Sequence, residues 1–192
     1  MEKLTGLRKI KTAVFISGTG SNLKNLIKFS KTKKSPIVID LIISNTALAK
    51  GLRYADQFNI KKKVFSFRNN EINNNNILIY LKKNQIEFIC LAGFMKILSS
   101  SFIKKFNGKI INIHPSLLPK YKGLNTHDRA IKNKDKFAGC SVHYVSAKLD
   151  SGRIIMQKKI RINAKDTLVS LSKKVLKKEH QLYPDSILKI FN

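Results

Sequence analysis

Short apolar runs alternate with stretches of helical periodicity through the first half of the chain. Nearly continuous apolar runs are typical of strands buried on both faces of a sheet, whereas apolar side chains that recur every three or four positions favour helices. The predicted strands are 13–17, 37–44, 64–67 and 87–92, and the predicted helices are 23–29, 47–59 and 72–83. The apolar positions expected to face the core in the last two helices are Leu48, Leu52, Ala55, Phe58, Ile72, Leu78, Ile79 and Leu81. This alternation indicates an α/β protein with a mainly parallel sheet.

The second half continues with a short β-branched strand over 110–113 and a helix over 126–133. Alternating patterns over 139–145 and 153–162 then predict two strands on either side of a turn at 148–152. Asp166 or Thr167 is expected to cap a last helix that runs through His180.

The strand that ends at His114 carries the first candidate chemistry. Asn112 and His114 are two residues apart, so both side chains of a strand lie on one face. Pro115 and Pro119 stop regular structure after it, and Gly123 closes the loop. A neutral hydrogen-bond donor beside a titratable ring suits a reaction in which a carbonyl oxygen gains charge while a proton moves. For an isolated Asn-x-His pair, the end of a strand is the commoner explanation.

A glycine turn follows the first strand. In Gly18-Thr19-Gly20-Ser21-Asn22 the glycines allow backbone amides to approach an anion, and the next helix directs its free amides there. Ser21 or Asn22 is a candidate helix cap. The turn lacks the third glycine of a dinucleotide site, so it favours a single phosphate, with a plain β–α turn as the alternative.

Composition limits the remaining classes. A chain of 192 residues suits one domain, 1–192, in which residues 1–11 are expected to form a loose extension. No apolar run reaches the ~20 residues of a membrane helix. Cys90 and Cys140 lie in apolar runs and are expected to be buried thiols in a reducing compartment, which favours the cytoplasm.

The net charge of +27 alone favours a nucleic-acid-binding protein. The lysines, however, are scattered over several predicted elements, and asparagine and isoleucine are also abundant. All three residues have A/T-rich codons, so genome composition accounts for the charge without a binding site. A basic stripe with exposed aromatic side chains would favour nucleic acid, and the sequence has none.

Five motifs, in order, resemble phosphoribosylglycinamide formyltransferase, the folate-dependent enzyme of purine synthesis. They are SGTGSN at 17–22, LAGFMKIL at 91–98, NIHPSLLPKYKG at 112–123, LDSG at 149–152 and EHQLYP at 179–184. The resemblance implies a Rossmann-like formyltransferase fold, with a mainly parallel sheet and helices on both faces. It also implies 10-formyltetrahydrofolate as co-substrate and glycinamide ribonucleotide as acceptor, with no metal, no membrane, no specific nucleic acid, and a monomer or homodimer.

The same resemblance assigns roles to individual residues. Asn112, His114 and Asp150 would be catalytic, with the Asp150 carboxylate facing His114. The substrate phosphate would lie on Gly20, Ser21 and Asn22, and Glu179 would contact the substrate. The folate would lie on Arg68, Met95, Lys96, Ile97, Leu98 and Asn112.

Two positions depart from the family pattern. Lys96 stands where the family usually has arginine, and Asn125 where it often has histidine, so Asn125 is given no catalytic role. His127, His143 and His180 are expected to be structural, because no His/Cys cluster has metal-ligand spacing.

The predicted reaction is attack of a primary amine on the formyl carbon. Asn112 would donate a hydrogen bond to the oxygen that becomes negative, and protonated His114 would stabilise it and help to move protons. Asp150 would favour the imidazolium. The alternatives are another formyltransferase or a deformylase with the same three residues, although the methionyl-tRNA enzyme is longer and the deformylase has an extra N-terminal domain.

Overall fold

A seven-stranded sheet forms the centre of the molecule in the computed structural model, which describes residues 8–67 and 71–191. The strands are β1 (Ile10–Ile16), β2 (Ile37–Ser44), β3 (Lys61–Val64), β4 (Phe88–Leu91), β5 (Lys109–His114), β6 (Phe137–Tyr144) and β7 (Ile154–Arg161). The helices are α1 (Ser21–Ser30), α2 (Arg53–Phe58), α3 (Glu71–Lys83), α4 (Ser100–Lys105), α5 (Thr126–Lys132) and α6 (Leu168–Phe191), and a 3₁₀ turn spans Lys50–Leu52.

The strand order is β3-β2-β1-β4-β5-β6-β7. The pairs from β3 to β5 are parallel, whereas β5–β6 and β6–β7 are antiparallel. The carboxyl ends of β1, β4 and β5 therefore meet at one edge, where ligands bind in open α/β sheets. The predicted α/β class with a mainly parallel sheet is confirmed.

Helices cover both faces because the central strands alternate between two apolar clusters. On β1, Val14 and Ile16 pack with α1 and α6, whereas Ala13 and Phe15 pack with α3 and α4. All four side chains are fully buried, which explains the unbroken apolar run in the sequence.

The long helix α6 is anchored at its start and in its middle. Thr167 caps it, since its Oγ1 accepts a hydrogen bond of 3.2 Å from the Ser170 amide. Tyr183 is fully buried, and its hydroxyl donates to the carbonyls of Leu91 at 2.9 Å and Ile111 at 3.3 Å. The helix is thereby tied to the end of β4 and the middle of β5.

Several predicted elements differ from the observed ones. The strand expected at 64–67 is Lys61–Val64, an edge strand whose four residues are all exposed. The helix expected at 47–59 is reduced to the 3₁₀ turn and α2, and Leu48 is 88% exposed. On α3, Ile72 and Ile79 face solvent, while Ile77 is buried in their place.

The expected N-terminal extension is also too long, because Ile10 and Lys11 already belong to β1. Residues 1–7 lie outside the described part of the chain. Within the part that is described, none of the helices has the length and apolarity to cross a bilayer.

Candidate active site

The carboxyl end of β5 places Asn112 and His114 beside the antiparallel strand β6. Asn112 pairs with His143 across the two strands, and His114 pairs with Ser141. His114 is 5% exposed and His143 is 2% exposed, whereas Asn112 is half-buried. The side chains of Asn112 and His143 touch, with Nδ2 of Asn112 3.2 Å from Nε2 of His143.

Asp150 lies between the two imidazoles. Its Oδ2 is 3.4 Å from Nδ1 of His114, and its Oδ1 is 3.6 Å from Nε2 of His143. The residue has a φ of 44°, in the left-handed region that non-glycine residues rarely adopt. The Gly123 amide fixes the carboxylate there by donating to Oδ2 at 2.8 Å. The turn that carries Asp150 is thus held in a strained conformation directly against the two histidines.

The charges of this cluster depend on burial and on its hydrogen bonds. Burial acts to raise the pKa of Asp150, but its neighbours, among them the Gly123 amide that donates to Oδ2 and the imidazole of His114, outweigh it, so that pKa lies below its ordinary value. Burial lowers the pKa of His114, and the Tyr121 carbonyl and Asp150 oppose this shift only in part. The carboxylate is therefore ionised near neutral pH, whereas the buried imidazole readily gives up a proton.

Both ring nitrogens of His114 are engaged in this arrangement. Nε2 lies 2.8 Å from the Tyr121 carbonyl, which can only accept a hydrogen bond, and Nδ1 faces Asp150. The imidazolium satisfies both neighbours at once. Tyr121 has a φ of 55°, so the carbonyl that occupies Nε2 belongs to a second residue in the left-handed region.

The glycine turn after β1 packs closely against the 3₁₀ turn. Gly20 has a φ of 76°, and a Cβ atom there would lie 2.8 Å from the Cα of Gly51. Only glycine fits this position without strain. Gly20 itself is the N-cap residue of α1, so the prediction that Ser21 or Asn22 caps the helix is wrong; both lie inside the first turn. Their amides point out of the helix end, as an anion site requires.

Asn22 connects this turn to α6. Its Nδ2 donates to Oε2 of Glu179 at 2.6 Å, and both residues are buried. Oδ1 of Asn22 is buried and has no hydrogen-bond partner among the described residues. Burial raises the pKa of Glu179, although the Asn22 hydrogen bond lowers it in part. The structure thus brings the phosphate-loop and substrate-binding candidates of the sequence together.

A cleft extends from Asn112 toward the segment after β4. Its apolar walls include Leu91, Phe94, Leu98 and Val145, and Asn112, His143 and Asp150 lie at its polar end. Lys96 and Ile97 line it as well, whereas Met95 is 65% exposed and donates its amide to Ser17 Oγ at 2.8 Å. Arg68, the remaining folate candidate, lies outside the described residues.

A larger cleft of about 880 Å³ opens at the opposite ends of the strands. It is lined by Arg8, Lys11, Ile86, Glu87 and Phe106, among others, and by none of the predicted site residues. The smaller cleft at the end of β5 is lined by Asn112, His143 and Asp150, and it is therefore the candidate active site.

Comparison with known proteins agrees with this geometry. The sequence profile of the formyl transferase family matches residues 10–187. This chain belongs to the formyltransferase family.

Two relatives show how this formyltransferase chain compares in length. A phosphoribosylglycinamide formyltransferase of Haemophilus influenzae is 43% identical over 177 residues, which are 91% of this chain and 84% of that protein. The trifunctional purine biosynthetic protein adenosine-3 of Homo sapiens is 40% identical over 183 residues, which are 94% of this chain and 18% of that protein. The chain therefore spans less than a fifth of the trifunctional relatives that it matches.

A solved structure confirms the fold of this chain. The phosphoribosylglycinamide formyltransferase of Brucella melitensis superposes with a TM-score of 0.89 at 39% identity, over 95% of this chain and 96% of that one. The resemblance noted in the motifs and the predicted Rossmann-like formyltransferase fold are both confirmed.

The sequence prediction did not include His143 among the site residues, because it was expected to be structural; in the structure it contacts both Asn112 and Asp150. The predicted strand over 139–145 contained His143, but its position opposite Asn112 follows from the pairing of β5 with β6, which the local sequence pattern does not show. Asn125, the N-cap residue of α5, has a φ of 57° and no capping side-chain hydrogen bond. The His, Cys, Asp and Glu side chains of the described residues form no group that could hold a metal ion.

Proposed function

We propose that this protein transfers the formyl group of 10-formyltetrahydrofolate to the amine of glycinamide ribonucleotide, a step of de novo purine synthesis. The single observation that supports this most strongly is the position of Asn112, His114 and Asp150 beside a cleft with both apolar and basic walls. Asn112 and Asp150 line the cleft itself, and His114 lies behind Asp150.

The acceptor would bind between the glycine turn and α6. Its phosphate would lie on the amides of Gly20, Ser21 and Asn22, and Glu179 would accept from its polar groups. The hydrogen bond between Asn22 and Glu179 supports a shared site for these two contacts. Gly93 and Met95 connect the turn to the cleft, because the Gly93 carbonyl accepts from the Ser17 amide at 3.1 Å and Met95 donates to Ser17 Oγ.

The folate would lie in the apolar cleft. A flat ring system is suited to walls such as Leu91, Phe94 and Val145, and the exposed side chains of Met95 and Ile97 provide further apolar surface for a ligand to cover. Lys96 and Arg68 would attract the carboxylates of the folate. The chemistry needs no metal and no covalent enzyme intermediate.

In the proposed reaction the amine nitrogen attacks the formyl carbon, and the carbonyl electrons move onto the oxygen. Asn112 donates a hydrogen bond to that oxygen, which is negative only in the tetrahedral intermediate. When the intermediate collapses, the bond from carbon to the folate nitrogen breaks, and that nitrogen takes up the proton that the amine loses. Holding the two substrates together contributes much of the rate.

His114 and Asp150 would control that proton. The ionised carboxylate of Asp150 stabilises the imidazolium, while burial lowers the pKa of His114, so the ring both accepts and releases a proton within one cycle. For direct contact with the substrates, Nε2 of His114 must exchange the Tyr121 carbonyl for a substrate atom. Because Tyr121 has a left-handed φ, which non-glycine residues rarely adopt, we expect its carbonyl to be the group that gives way.

The remaining assignments follow from the same proposal. The chain would act as one domain in the cytoplasm, as a monomer or homodimer, without a specific nucleic-acid partner. Its positive charge would then attract anionic substrates without forming a site of its own.

The test is a panel of three acceptors, with consumption of 10-formyltetrahydrofolate followed by absorbance. Glycinamide ribonucleotide should be formylated, the riboside without phosphate should be far poorer, and methionyl-tRNA should be inert. Equal use of riboside and ribonucleotide would contradict the phosphate site, and formylation of the tRNA would contradict the choice of acceptor.

A further inference from the structure

His143 makes one hydrogen bond that determines where its proton lies. Nδ1 is 2.8 Å from the carbonyl oxygen of Tyr144, the next residue. A carbonyl only accepts, so Nδ1 must carry hydrogen. In the neutral ring the other nitrogen, Nε2, is then a bare acceptor.

That bare nitrogen selects the orientation of the Asn112 amide. Nδ2 of Asn112 lies 3.2 Å from Nε2 of His143 and donates to it. The second hydrogen of Nδ2 remains available on the side of the cleft, which Asn112 and His143 both line. The reverse orientation would place Oδ1 against a lone pair and present no donor to the cleft. A neutral His143 therefore keeps the amide in the orientation that a negative oxygen requires.

The backbone around His143 is built to keep this tautomer. Gly152, the glycine of LDSG, packs on the same Tyr144 carbonyl, because a Cβ atom at position 152 would lie 1.7 Å from that oxygen. The Tyr144 amide also donates to the Arg153 carbonyl at 3.0 Å. Both neighbours fix the acceptor of Nδ1, so the motif that supplies Asp150 also locks the ring of His143.

We infer that His143 is a positioning residue that fixes the donor orientation of Asn112 for formyl transfer. It acts through Asn112 and not on the substrates. The inference rests on the proposed role of Asn112. The Asp150 carboxylate only accepts, so it would compete for Nε2 only if that nitrogen carried a hydrogen. Its Oδ1 is 3.6 Å away, compared with 3.2 Å for Nδ2 of Asn112.

Kinetics of two His143 variants test the inference. His143→Met removes the acceptor and should lower kcat by about 10- to 100-fold, while the KM values of both substrates change by less than about threefold. His143→Gln keeps an oxygen near the position of Nε2 and should recover most of the loss. His180→Met, a half-buried histidine on α6, is the matched control and should keep wild-type kcat.

A double-mutant cycle separates positioning from a general loss of structure. In an Asn112→Ala background, His143→Met should change kcat by less than about twofold, because the amide that it orients is gone. An equal loss in both backgrounds would overturn the inference. If Asn112→Ala itself has no effect, the proposed function fails; if only the His143 variants have none, the inference alone fails.

The tautomer can be read in the wild-type protein, whether or not the variants fold. The ¹⁵N spectrum of histidine-labelled protein, with His143→Gln or its matched control used only for assignment, should show a protonated Nδ1 and a bare Nε2 for this residue at neutral pH. A protonated Nε2 at that pH would overturn the inference.

Discussion

The carboxylate of Asp150 faces the imidazoles of His114 and His143, which are both almost fully buried. The pKa of Asp150 is lowered because its neighbours, among them the Gly123 amide, outweigh the effect of its burial. The pKa of Glu179 is raised because its one hydrogen bond from Asn22 offsets the effect of burial only in part. The two carboxyls of the proposed site thus have pKa values shifted in opposite directions, as is typical of carboxyls with different roles.

Glu179→Gln should therefore stabilise the protein and weaken substrate binding. The raised pKa of Glu179 means that its charge costs stability above the folded-state pKa, and the cost fades as the pH falls toward the ordinary value of 4.5. A glutamine keeps the acceptor for Asn22 Nδ2 and adds a donor for Asn22 Oδ1, which has no partner among the described residues. We expect a gain of about 1 kcal/mol near pH 7.5 that disappears near pH 4, measured by urea unfolding. A variant less stable than the wild type at pH 7.5 would contradict this.

Gly20→Val tests the glycine turn. The left-handed φ and the approach of Gly51 exclude a Cβ atom, so valine must shift the amides of Ser21 and Asn22. The KM for glycinamide ribonucleotide should rise more than the KM for the folate. A larger rise in the folate KM would argue that the turn serves the other substrate.

At the scale of elements, α6 fixes the spacing of the site. Glu179 and Tyr183 lie one turn apart on this helix. The first contacts the glycine turn, and the second contacts the end of β4 and the middle of β5. The distance between the glycine turn and these two strands therefore depends on a helix and not on a loop.

Tyr183→Phe should cost about 1–3 kcal/mol, because it leaves the buried carbonyls of Leu91 and Ile111 without the hydroxyl. The matched control is Tyr80→Phe on α3, whose ring packs edge-to-face on Phe65. We expect the control to lose less, as measured by urea unfolding of both variants. Equal losses of stability would show that the hydrogen bonds from Tyr183 to β4 and β5 do not stabilise the protein.

Strands that are buried on both faces could be predicted from the sequence, whereas the edge strand and the turn before the 3₁₀ segment could not. The strand Ile37–Ser44 agrees with its predicted bounds because it lies inside the sheet. Lys61–Val64 was missed because an edge strand needs no apolar pattern, and its lysines discourage further pairing. Leu48 is exposed because it lies in a turn before the 3₁₀ segment Lys50–Leu52, so the helical spacing of the sequence does not apply to it.

The site was predictable where a motif named its residues. Asn112, His114 and Asp150 came from the motifs, and the structure brings them together. His143 depends on the register of β5 and β6, which pairs it with Asn112 and which no local pattern states. Long-range pairing is the part of this fold that residue spacing alone does not contain.

At the scale of the whole molecule the charge of +27 is spread over the surface. Lysines are exposed on the edge strand β3 and on α6, two separate parts of the fold. A dispersed charge should steer anions over long range but bind no polymer tightly.

Binding to random duplex DNA should accordingly be weak and should vanish near physiological salt, as measured by fluorescence anisotropy over a salt series. Sub-micromolar affinity at that salt, with a defined site size, would favour a nucleic-acid partner after all.

The most direct test of the account is formyl transfer by the wild type and by Asn112→Ala, His114→Ala and Asp150→Asn, with both substrates saturating. The wild type should consume 10-formyltetrahydrofolate only when glycinamide ribonucleotide is present. Each variant should fold and turn over roughly 100-fold more slowly, because all three residues serve one oxygen and one proton path. Turnover by His114→Ala close to that of the wild type would contradict the mechanism, and no transfer by the wild type would contradict the function.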